Sequence, residues 1–284
     1  MASDFRIRAD IVETGRRIWQ RGYVAANDGN LSVRLSDGRI LITPTGRSKG
    51  FLEPDDLVVV DARGRKLAGA LEATSELQMH LFAYEARPDV VAVVHAHPPR
   101  ATGFAVAGVH LAQCVLPEVI LTLGGVPLAE YATPSTPEVP ASIERYIRSY
   151  NAILLRSHGV LTLGKDIYEA YFRMETVEHF AEITLAARAL GGAAPLSRDE
   201  VQKLLHVREN LGISAPSGTC VSCGACGGPG EGTCVGSAPQ DGEPCDLADS
   251  PDGEDDIIDA VVARIEASLA RGTGDPKRGG GERE

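Results

Sequence analysis

The stretch Val90-Val91-Ala92-Val93-Val94-His95-Ala96-His97-Pro98-Pro99 decides how the rest of this chain is read. A β-branched, unbroken apolar run of this kind predicts a strand over 90–97 that is buried on both faces. Pro98-Pro99 ends it, because proline has no N–H to give to a ladder. Side chains alternate along a strand, so His95 and His97 share one face. Two imidazoles on one face at a strand's end suit a single divalent metal, with zinc the first expectation among the ions that imidazole binds. A second apolar run, 152–158, finishes in Ser157-His158-Gly159 and brings a third histidine to a strand end. Three neutral imidazoles leave positions open on the ion, as a catalytic metal requires and a structural one does not.

On either side of these strands, helical and extended patterns alternate. Residues 7–21 predict a helix with Ile7, Ile11, Ile18 and Trp19 on a broad apolar stripe, ended by Gly22. Strand-like runs follow at 31–35, 40–43 and 57–60, separated by Asp-Gly, Pro and Gly turn signals. Further helices are expected over 75–87, 137–150, 167–190 and 197–210. Residues 1–213 therefore read as one α/β unit.

Three short segments suit an anion. Asn27-Asp28-Gly29-Asn30-Leu31-Ser32 is a tight turn rich in donors, and Thr43-Pro44-Thr45-Gly46-Arg47-Ser48-Lys49-Gly50 is a second one with two cations. Thr74 or Ser75 can cap the helix that Glu76 opens, and free N–H groups at a helix start attract phosphate. The same residues also make an ordinary cap with an acidic first turn.

These motifs occur together and in order: Asn-Asp-Gly-Asn-Leu-Ser (27–32), Thr-Pro-Thr-Gly (43–46), Thr-Ser-Glu with a histidine four residues later (74–80), His-Ala-His (95–97) and Ser-His-Gly-Val (157–160). In that combination the chain resembles the class II aldolase/adducin family, in particular its L-fuculose-phosphate aldolases, over about residues 5–213. The resemblance implies a three-layer α/β/α domain around a mostly antiparallel sheet. It implies that His95, His97 and His158 bind zinc or another divalent metal, and that Glu76 approaches the metal at rest and carries protons in turnover. Asn30, Thr45, Gly46, Thr74 and Ser75 match positions that hold a substrate phosphate. The implied reaction is reversible aldol cleavage of a phosphorylated ketose to dihydroxyacetone phosphate and lactaldehyde, in a homotetramer with active sites between subunits. Related enzymes epimerise, dehydrate or decarboxylate sugar phosphates, and adducin-like relatives are non-enzymatic. Where the aldolases carry a tyrosine acid after the His-x-His strand, this chain has Leu116-Pro117-Glu118-Val119, which makes Glu118 the candidate additional acid. His80, one helical turn beyond Glu76, reads first as a packed or surface histidine and alternatively as a residue that supports the metal ligands.

The pattern changes after residue 213. Residues 214–254 form a Gly/Pro/Cys-rich acidic linker, with eight acidic and no basic residues between Asp241 and Asp256. Cys220, Cys223, Cys226 and Cys234 have spacing compatible with a zinc or iron–sulfur site, with redox-active thiols, or with a plain linker. Residues 255–271 predict an amphipathic helix whose Ile257, Ile258, Val261, Val262, Ile265 and Leu269 share one side. That helix either folds back or docks on a partner; a short helix on a linker is similar to the encapsulation peptides that carry enzymes into bacterial microcompartments. Residues 272–284 read as a disordered tail.

A formal net charge of −11 argues against nucleic acid, which needs a basic face. No apolar run is long enough to span a membrane, and the first residues lack a signal peptide's apolar segment, so a cytoplasmic enzyme is expected.

Overall fold

The computed structural model describes residues 4–213. The expectations for 214–254, 255–271 and 272–284, including Cys220, Cys223, Cys226 and Cys234, lie outside the described residues. An opening helix, α1 (Asp4–Gln20), leads into a meander of β1 (Asn30–Arg34), β2 (Ile40–Ile42), β3 (Val58–Val60) and β4 (Lys66–Ala68). Then come α2 (Leu77–Ala86), β5 (Ala92–Ala96), α3 (Pro99–Ala107), α4 (Pro117–Thr122), β6 (Leu128–Ala129) and α5 (Glu138–Ile147). The hairpin β7 (Ala152–Leu155) and β8 (Gly159–Gly164) precedes the long α6 (Ile167–Ala189) and α7 (Arg198–Asn210).

All eight strands join one sheet in the order β4-β3-β2-β1-β5-β8-β7-β6. Every pairing is antiparallel except β6 with β7. The strand read at 90–97 is thus central, between β1 and β8, which explains why it is apolar on both faces. Alternation sorts its neighbours into two cores. Leu31, Val33 and Val94 pack with Ile11 and Ile18 of α1 and with Met174, Val177 and Phe180 of α6. On the other face, Ile40, Ile42, Val93 and Leu161 pack with Met79 and Tyr84 of α2 and Ile143 of α5. Each fully buried Val or Leu contributes about 1.5–3 kcal/mol relative to exposure, so a shift of register by one residue would be prohibitive.

Three local readings change. The strand expected over 152–158 stops at Leu155, and Gly159–Gly164 returns as β8, whose residues are all buried. Pro98-Pro99 ends β5 as expected, but Pro99 also begins α3 at the one helical position where a missing N–H costs nothing. The α3 start is capped from a distance: the buried Glu178 carboxylate of α6 accepts the backbone N–H groups of Arg100 and Ala101 at 3.1 and 2.9 Å. Trp19, placed on the apolar stripe of α1, is 40% exposed and meets Phe51 edge to face.

Candidate metal centre and active site

His95 lies in β5, with Asn30 of β1 directly opposite it and Leu161 of β8 on the other side. Its Nδ1 donates to the Val160 carbonyl at 2.9 Å, so any second proton on this ring sits on Nε2, the nitrogen that faces Glu76 and His97. His97, two residues on, places its Nε2 3.1 Å from that of His95. His158 sits in the tight turn between β7 and β8, after Ser157 at φ 55°, and not on a strand. The three rings lie edge to face at 4.7–5.0 Å, with one ligand nitrogen from each within 4.8 Å of the others.

Glu76 is the residue from which α2 begins, and its carboxylate spans two of these rings. Oε2 is 3.3 Å from His95 Nε2, and Oε1 is 3.3 Å from His158 Nε2. Thr74, not the Glu76 side chain, caps this turn by accepting the Glu76 N–H at 3.3 Å. Asn30 Nδ2 donates to Glu76 Oε2 at 2.7 Å, whereas the buried Oε1 has no hydrogen-bond partner. The Nε2 atoms of His95 and His97, 3.1 Å apart, repel unless a proton or a cation lies between them. The converging nitrogens and the orphaned carboxylate oxygen together fit a divalent ion.

Electrostatics favour the same use. Burial pushes His97 and His158 down to about 4, aided by the charge of His95, so both are neutral and able to ligate near pH 7. Burial also acts against a charged His95, but the facing Glu76 carboxylate outweighs it and raises the ring's pKa. For Glu76, burial alone would raise the pKa. The charge and hydrogen bond of His95, the Asn30 amide and His158 reverse this and hold the carboxyl well below its usual range.

The expected anion-binding residues surround the same cavity of about 200 Å³. Asn30, Thr45, Gly46, Thr74 and Ser75 line it beside Glu76, His97 and His158. Lys49 lines it too. Its buried Nζ donates to the Asn27 and Arg47 carbonyls at 2.7 and 2.6 Å, tying the two turns together, and burial lowers it to about 8. Of the two cations in that turn only Lys49 reaches the cavity; Arg47 is exposed and pairs with Asp56 at 3.4 Å. Glu118, the candidate additional acid, is exposed on α4 and does not line this cavity. It fell near the expected place in sequence, but α4 packs against α7.

Two contributors escaped sequence reading, and a third, His80, was legible only as the alternative. A Cβ on Gly159 would lie 2.5 Å from the Ala96 carbonyl oxygen and 2.6 Å from His97 Cδ2, so only glycine lets the two histidine-bearing turns meet. Asp28 stands 3.7 Å from His97 Nδ1. His80 is fully buried and hydrogen-bonded to Asn30, not a surface or merely packed histidine. The histidine four residues after Glu76 was the available signal for it.

Residues 9–185 match the family described as Class II Aldolase and Adducin N-terminal domain. The chain belongs to this family. Among similar proteins, the L-fuculose phosphate aldolase of Methanococcus maripaludis is 35% identical over 175 residues, 61% of this chain and 93% of that one. A 3-oxo-tetronate 4-phosphate decarboxylase of Pectobacterium atrosepticum is 32% identical over 187 residues, 64% of this chain and 85% of its own. A solved L-fuculose 1-phosphate aldolase superposes with a TM-score of 0.68 at 28% identity, covering 74% of this chain and 98% of that one. The three-layer class II aldolase fold is therefore shown, and with it a lyase-type family in which the histidine triad suits a divalent metal.

Proposed function

We propose that this class II aldolase-family chain is a zinc-dependent aldolase that cleaves a phosphorylated ketose of the L-fuculose 1-phosphate type to dihydroxyacetone phosphate and lactaldehyde. The observation that carries this reading is a single cavity lined by Glu76, by His97 and His158 of the three-histidine cluster, and by the donor-rich turns around Asn30, Thr45, Gly46, Thr74 and Ser75.

A divalent ion held by His95, His97 and His158 would polarise the ketose carbonyl and offset the negative charge that develops as the carbon–carbon bond breaks. The turns and the buried Lys49 bind the phosphate at the remote end, so that binding energy orients the reacting bond. Glu76 moves the proton. Close to the histidines its carboxyl is strongly acidic; a substrate that displaces it removes those partners and leaves burial, which raises its affinity for a proton. It then takes up at one carboxyl oxygen the proton that the hydroxyl on the departing carbon gives up as it becomes the aldehyde, and delivers it to the carbon beside the carbonyl. Glu118 serves as additional acid in this reading only from a neighbouring subunit of a homotetramer, since within one chain it lies outside the cavity.

The test is metal content together with cleavage of L-fuculose 1-phosphate and rhamnulose 1-phosphate, with decarboxylation of 3-oxo-tetronate 4-phosphate assayed alongside. Loss of both metal and aldol cleavage in His95→Ala is the expected result. A metal-free wild-type protein, or decarboxylation without aldol cleavage, overturns the assignment. For residues 255–271 we propose an encapsulation peptide that brings the enzyme to a microcompartment shell and confines its aldehyde product. Its support is the amphipathic pattern at the end of an acidic linker.

A further inference from the structure

Beneath the metal centre four side chains lead in an unbroken line to Glu76. Tyr84 Oη is 2.7 Å from Ser32 Oγ, and Ser32 Oγ is 2.7 Å from His80 Nδ1. His80 Nε2 is 2.5 Å from Asn30 Oδ1, and Asn30 Nδ2 is 2.7 Å from Glu76 Oε2. Ser32, His80 and Asn30 are at most 3% exposed, and Tyr84 is 5% exposed. Nothing in the reaction outlined above uses Tyr84, Ser32 or His80.

The donor in each link follows from its neighbour. An ionised carboxylate only accepts, so Asn30 must turn its NH2 group to Glu76 and its carbonyl oxygen to His80. That oxygen also only accepts, so His80 Nε2 carries a proton. A ring buried this deeply avoids a second proton, and burial moves His80 down to about 3. Nδ1 is therefore bare and accepts a hydrogen bond from the Ser32 hydroxyl, which leaves Ser32 Oγ to accept from Tyr84. Every link points the same way, from the helix α2 side chain Tyr84 to the carboxylate at the start of that helix.

We propose that His80 is a positioning residue of the active site: its neutral Nε2–H tautomer, set by Ser32 and Tyr84, locks the Asn30 amide with its NH2 group towards Glu76. Were the amide reversed, its oxygen would face the carboxylate and repel it. Held as it is, the NH2 group steadies Glu76 with one N–H and keeps the other for an anion in the cavity that Asn30 lines. His80 thus acts on both the proton carrier and the anion site without touching either. The expected effect on turnover rests on the function proposed above; the tautomer and the anion effect do not.

Histidine-ring ¹⁵N spectra of the full chain, with His80 assigned by comparison with His80→Gln, read the tautomer directly. The expected result is a neutral Nε2–H ring between about pH 6 and pH 8, with and without added zinc. In His80→Phe, affinity for inorganic phosphate and kcat should each fall by about tenfold or more while bound metal stays unchanged. His80→Gln, whose amide can donate to Asn30, should recover most of both, a pattern that lost packing alone would not give. An imidazolium or Nδ1–H ring at His80, or a His80→Phe protein that binds phosphate and turns over as the wild type does, overturns the proposal. The tautomer measurement uses the unaltered chain and so decides even if His80→Phe fails to fold. If the wild type cleaves no sugar phosphate but shows the tautomer and the phosphate effect, the assigned reaction fails and the positioning role stands.

Discussion

Glu76 and four histidines share one small volume, and their competing demands for protons reach into stability. His97 and His158 are lowered to about 4 and His80 to about 3 from an ordinary value of 6.5. An unfolded chain takes up these protons near pH 6.5, while the folded chain resists until about pH 4. Over that window the unfolded state binds more protons, so stability falls as pH falls. His95 opposes this, because its raised pKa gives stability that is present below pH 6.5 and lost as pH rises through its folded value. Three groups outweigh one, and the metal-free protein should show a lower Tm at pH 5 than at pH 7 by calorimetry. A Tm that holds steady or rises on acidification would show that these rings are not buried neutral in the folded state. Added zinc should raise Tm at pH 7 far more than at pH 5, since protons compete for the same nitrogens.

At the scale of elements, the hairpin β7–β8 is where the metal centre depends on a backbone detail. Its turn carries His158, runs through Ser157 at φ 55° and ends on Gly159, packed against the end of β5. The residue pattern Ser-His-Gly was legible as the end of a strand. That the chain turned back at once into a second buried strand was not, because Gly159–Gly164 is apolar without alternation and short enough to read as loop or core. Gly159→Ala should keep the secondary structure but push His97 away, with metal affinity weakened by about tenfold or more. Circular dichroism and zinc titration check the two halves of that statement; wild-type zinc affinity in the variant would mean the turn relaxes without moving His97. The α3 helix gives the same lesson, since its cap comes from Glu178, about eighty residues later in the chain.

For the whole molecule, the two main cores draw on residues from Ile11 to Ala181, and a small third one joins Val201 of α7 to Cys114 and Ile120. The family match ends at residue 185, and the M. maripaludis aldolase is almost fully covered by 61% of this chain. Residues 214–284 lie outside the family match, and we propose that catalysis does not need them. Deleting them should leave metal content and kcat/KM within about twofold of wild type while abolishing co-sedimentation with microcompartment shells. Loss of activity on truncation would instead tie the tail to the catalytic unit and remove the main support for a targeting role. No helix among the described residues is long and apolar enough to cross a membrane.

The sequence by itself determined the α/β class, the central strand, the three histidines and the donor-rich turns, because each is a local pattern of residue type and spacing. Strand alternation alone put His95 and His97 on one face. Tertiary structure decided what those residues do to one another. Asn30 meets His95 only because β1 pairs with β5 in that register, and Glu76 reaches two rings only because α2 begins over the sheet. His80 became part of the site by burial and Glu118 left the single-chain cavity by its place on α4. Hydrogen bonds between residues tens of positions apart depend on packing, and no spacing along the chain encodes them.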